Sequence, residues 1–66
     1  MLLKLTNATK GRIGEKLILN TDLLLSFFEN KTEDDRQVTV AFGMNGNNWE
    51  VSETIDEIME QAKNGT

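Results

Sequence analysis

The chain has 66 residues, seven Lys and Arg against eleven Asp and Glu, a formal net charge of −4, and neither Cys nor His. Disulfides are excluded, as are the usual zinc, haem and iron–sulfur sites, which need thiolate or imidazole ligands, and no cofactor is expected. The acidic balance argues against polymeric nucleic acid and anionic membrane surfaces; with no apolar run near the roughly 20 residues that span a bilayer and no signal-peptide pattern, a cytoplasmic protein is expected.

Leu2 to Thr6 alternates apolar and polar residues and predicts a half-buried strand. A polar loop follows over Asn7 to Gly14, then a second strand over Glu15 to Leu19. Asn20-Thr21-Asp22 supplies a turn, because Asn and Asp side chains bond their own backbone. Leu23 to Phe28 reads as a strand that is apolar on both faces, with Leu23, Leu25 and Phe27 on one and Leu24 and Phe28 on the other. A short helix over Asp22 to Glu29 is the competing reading; Phe-Phe favours the strand. Lys31 to Asp35 is a charged turn, and Gln37 to Phe42 is the clearest strand, with Val38, Val40 and Phe42 opposite Thr39 and Ala41. Gly43-Met44-Asn45-Gly46-Asn47 closes a hairpin onto a return strand at Asn48 to Val51, since Asn-Gly supplies positive φ. Thr54-Ile55-Asp56-Glu57 fits a capping box, and Ile55, Ile58, Met59 and Ala62 form one apolar stripe on the helix that follows. Asn64-Gly65 supplies its stop.

The expected fold is therefore α+β: one domain over residues 1–66, a small antiparallel sheet of about five strands, and one C-terminal helix packed on one face. Domains this small bury only about 60% of the surface of their unfolded chain. The helix covers one face of the sheet, so the second apolar face of Leu23–Phe28 predicts a homo-oligomer or a protein partner.

Leu3-Lys4-Leu5-Thr6, then Leu17-Ile18-Leu19-Asn20-Thr21-Asp22-Leu23-Leu24, and Val51-Ser52-Glu53-Thr54-Ile55-Asp56-Glu57-Ile58 together resemble the FlbD family of small proteins encoded among bacterial flagellar genes. The resemblance implies a last strand running into a capped helix, and an accessory role through protein contacts. The longer first loop and the charged Lys31–Arg36 turn depart from the family's pattern. Leu3-Leu5-Thr6 and Gly14-Glu15-Lys16 are also similar to CsrA-type RNA-binding proteins, but Glu50, Ser52 and Glu53 stand where those proteins carry basic residues.

No nucleophile elbow, phosphate loop, His or Cys is present, and no enzyme is expected. Glu53, Asp56, Glu57 and Glu60 suit a helix start and a solvated face better than a metal site, and Asp34-Asp35 suits a turn better than acid–base work. Trp49 is either packing or a stacking platform for a base. Asn45, Asn47 and Asn48 are either hairpin residues or readers of a base edge. Thr9, Lys10, Arg12 and Lys16 are either a solvated loop or an anion clamp, to which Arg36 could add a guanidinium fork. Taken jointly, they predict a non-catalytic homo-oligomer that captures a small anionic nucleotide-type ligand at a subunit interface through Lys10, Arg12, Arg36, Asn47 and Trp49. In character this resembles the small phage sponge proteins that sequester cyclic-nucleotide signals of antiviral defence. The alternatives are a FlbD-like flagellar accessory protein and a phage structural or assembly component.

Overall fold

Strict alternation builds the first two strands of the computed structural model, which describes residues 1–64. β1 (Leu2–Thr6) and β2 (Lys16–Asn20) pair antiparallel, with Leu3 opposite Leu19 and Leu5 opposite Leu17. Directly opposed residues share a face, so these four leucines turn to the core while Lys4 and Ile18 stay exposed. β2 starts one residue later than expected because Glu15 is engaged in the loop, its carbonyl accepting from Asn7 N–H at 2.7 Å.

A single 3₁₀ turn (Thr21–Leu23), in which Asn20 Oδ1 accepts from Asp22 N–H at 3.1 Å, leads into β3 (Leu24–Lys31). β3 pairs with β4 (Gln37–Gly43) and β4 with β5 (Asn48–Val51), all antiparallel. The expected faces of Leu23–Phe28 are corrected here. Leu23 belongs to the turn, and the register slips between Leu24 and Ser26, leaving Leu25 as an extra residue in the ladder. The slip turns Leu24 and Phe27 to the core and leaves Leu25 66% and Phe28 45% exposed.

β4 follows its sequence pattern: Val38, Thr39, Val40 and Ala41 are all buried, as a central strand covered on both faces requires. Asn45 and Gly46 take φ of 69° and 79°, the geometry of a primed hairpin turn. The charged turn also closes as a hairpin, with Thr32 N–H donating to Arg36 O at 2.9 Å and Asp35 at φ 65°.

The five strands are divided between a two-stranded and a three-stranded sheet. The chain leaving β1 joins them: Ser52 N–H donates to Thr6 O at 2.9 Å, Ala8 N–H donates to Glu50 O at 2.8 Å, and Asn7 bridges Val51. One core fills the space between the sheets, with Leu3, Leu5 and Leu19 from the first and Ala41 and Val51 from the second. Ala8, Val38 and Val40 form a smaller core on the other face of β4.

α1 (Ile55–Asn64) begins with the expected capping box: Thr54 N–H donates to Glu57 Oε1 at 2.9 Å, and Glu57 N–H donates to Thr54 Oγ1 at 3.1 Å. Ile58 is buried and Ile55 and Ala62 are half-buried, but Met59 is 64% exposed. The stripe is corrected at that position because the helix turns Gln61, not Met59, toward β1. The Gln61 amide accepts from Lys4 N–H and donates to Lys4 O at 3.0 Å, as a neighbouring strand would. Glu53 extends this cover, its carboxylate accepting from Thr6 N–H at 2.8 Å and from Thr6 Oγ1 at 2.9 Å. Asn64 ends the helix, and Gly65 of the expected stop lies outside the described residues. Among the described residues, no helix is long and apolar enough to cross a membrane.

Candidate functional site

The face of the second sheet that carries Val38 and Val40 also carries Asn30, opposite Val38, and Glu50, opposite Val40. At one end of this face the β3–β4 turn and the first loop enclose a cleft of about 580 Å³. It is lined by Lys10 from the loop, Asn30 and Lys31 from β3, Thr32, Glu33, Asp34 and Arg36 from the turn, and Glu50 from β5.

Arg36 organises this end of the molecule. Its Nε donates to Asp34 Oδ2 at 2.9 Å, and its Nη1 donates to Ala8 O at 2.9 Å, which ties the turn to the first loop. Guanidinium has five N–H donors, so two bonds fix the plane and leave Nη2 without a partner among the described residues. Asp34 also accepts from Thr32 Oγ1, whose oxygen in turn accepts from Arg36 N–H at 3.0 Å. The Thr32 hydroxyl and then the Arg36 guanidinium hold the Asp34 carboxyl at about 2, below the ordinary carboxylate value. Asp34 is thus committed to the turn. Lys31 reaches Asp35 at 3.4 Å across two exposed side chains, a weak pair. Lys10 and the half-buried Glu50 make no ion pair among the described residues.

Of the five residues expected to hold a ligand, Lys10 and Arg36 line the cleft. Arg12 is exposed and pairs with Glu15 at 3.5 Å. Asn47 is exposed beside the Asn45-Gly46 turn. Trp49 packs against the main core, on the opposite face of β5 from Glu50, with its ring over Gly43. The cleft also uses Asn30, Lys31, Thr32 and Glu50, which the reading from sequence passed over. Alternation along β4, carried across both hairpins, would have placed Asn30 and Glu50 on one face. The helix carboxylates Glu53 and Glu57 serve β1 and the cap, and no group of three or more acidic residues gathers among the described residues in a way that could hold a metal ion.

Compared with protein-family models, with curated proteins and with solved structures, the chain matches none.

Proposed function

We propose that the protein is a non-catalytic, self-associating binding protein of the cytoplasm that captures a small nucleotide-type ligand in the Lys10–Arg36 cleft. The observation that carries this reading is the convergence of Lys10 and Arg36 on one cleft, with Arg36 already oriented by Asp34 and Ala8. A pre-oriented guanidinium and an ammonium group suit phosphate oxygens. Of the lining acids, Asp34 is engaged by Arg36, while Glu33 and Glu50 repel a bare anion but accept hydrogen bonds from the N–H groups of a base, and the Asn30 amide both donates and accepts. A nucleotide carries both kinds of group.

Native mass spectrometry with a panel of linear and cyclic nucleotides tests this. Discrete nucleotide adducts are expected, weakened about tenfold or more by Lys10→Glu, because charge-assisted hydrogen bonds are the strong ones. A chain that ignores every nucleotide is not a capture protein.

A second reading, an interaction module of the kind the FlbD resemblance implies, is supported by Leu25 and Phe28, which stand exposed on β3. It predicts capture of a protein partner that is lost on changing Leu25 and Phe28 together to Ser.

A further inference from the structure

β3 is an eight-residue edge strand whose outer side has no partner strand among the described residues. The hydrogen bonds elsewhere decide which of its backbone groups are free. In antiparallel pairs, successive residues bond alternately to one side and the other. Ala8 and Thr6 bond to Glu50 and Ser52 on the outer side of β5, so Trp49 and Val51 bond to Ala41 and Thr39. Val38, Val40 and Phe42 must then bond to Asn30, Phe28 and Ser26. The bond from Thr32 N–H to Arg36 O gives the same parity. The N–H and C=O groups of Phe27, Glu29 and Lys31 therefore point outward.

We propose that a second copy of this chain docks antiparallel on this edge, with the two-fold axis through Asn30. In that register Glu29 of each copy faces Lys31 of the other, giving two reciprocal ion pairs and four backbone hydrogen bonds by the parity above. This charge complementarity singles out a second copy as the occupant. A dyad at Glu29 sets like charges opposite each other. A dyad at Phe28 sets Glu29 against Phe27 and Lys31 against the bulged Leu25, and a bulge blunts an edge for pairing. Each side chain gives up only an exposed contact: Lys31 its pair with Asp35, and Glu29 a hydrogen bond it accepts from Gln37 Nε2 at 3.2 Å.

Asn30, Lys31 and Thr32 line the cleft and also form the docking edge. The dyad therefore brings two clefts side by side on one face of a six-stranded sheet, with the two Asn30 side chains between them. Resting on the capture reading, we infer that the joined site takes one ligand bearing two phosphates, such as a cyclic dinucleotide, per dimer.

The test begins without ligand. Sedimentation of the full chain is expected to show a dimer, weakened about tenfold by Glu29→Lys through like-charge opposition and restored by Glu29→Lys with Lys31→Glu. Asn30→Cys is expected to form a disulfide-linked dimer on oxidation, because a dyad pair in a non-hydrogen-bonded position lies within disulfide reach, and Phe28→Cys is not. A wild-type monomer, a double exchange that fails to restore dimers, or a cross-link at Phe28 in place of Asn30 would overturn the docking. In native mass spectrometry, one cyclic dinucleotide per wild-type dimer supports the joined site, and one per chain overturns it. A wild-type dimer that takes no nucleotide supports the docking and overturns the capture reading instead.

Discussion

A methyl group on Gly43 would lie 2.8 Å from Trp49 Cζ3. The indole lies across that position, so a side chain at 43 would displace it, and the half-buried Trp49 uses part of its ring in packing against the main core. Asp34 is the residue with the sharpest electrostatic signature. Its carboxyl titrates at about 2 in the folded chain, held down first by the Thr32 hydroxyl and then by Arg36, against roughly 3.9 when unfolded. A depressed folded value means that the carboxylate adds stability above the unfolded value and loses it as pH falls toward 2. Urea midpoints of the wild type and Asp34→Asn should therefore differ above about pH 4 and converge on acidification through that window. A gap that stays constant from pH 6 down to about pH 2 would separate Asp34 from the stability of the turn.

Elements written by local chemistry are those that alternation and cap rules foresee. β5 has its expected bounds, the Asn45-Gly46 turn has its positive φ angles, and Thr54 and Glu57 exchange both bonds of the box. Thr54→Ala should therefore cost about 1 kcal/mol, read as a lower urea midpoint at unchanged slope. A smaller cost for Glu57→Ala alone than for Thr54→Ala alone would make the Thr54 hydroxyl the stronger half of the box. What local rules miss is set by neighbours. Nothing in Leu24-Leu25-Ser26 announces an extra residue; the slip appears only when Leu24 opposes Gly43 and Ser26 opposes Phe42. Met59 fits the apolar period as well as Ala62 does, and only the position of β1 decides that Gln61 is turned inward. The cleft was half legible for the same reason. Lys10 and Arg36 are cations of a kind that sequence flags, whereas Asn30 and Glu50 become lining only through cross-strand register.

At the scale of the whole molecule, the two sheets share a core but not an edge design. β5 is closed by the chain leaving β1 and β1 by side chains of α1 and its approach, whereas β2 and β3 each have an outer side with no partner strand among the described residues. The cover on β1 also has a kinetic consequence. Its contacts join Thr6 to Glu53 and Lys4 to Gln61, 47 and 57 positions apart in the chain. Contacts at such separation need most of the chain to be ordered before they can form, so they belong to the late side of the folding barrier. Gln61→Ala should then leave the refolding arm of a stopped-flow chevron nearly unmoved and raise the unfolding rate several-fold. Slower refolding with an unchanged unfolding arm would place this contact in the nucleus instead. A late-forming clasp of this kind sets how long the native state persists once formed, not how fast it is reached.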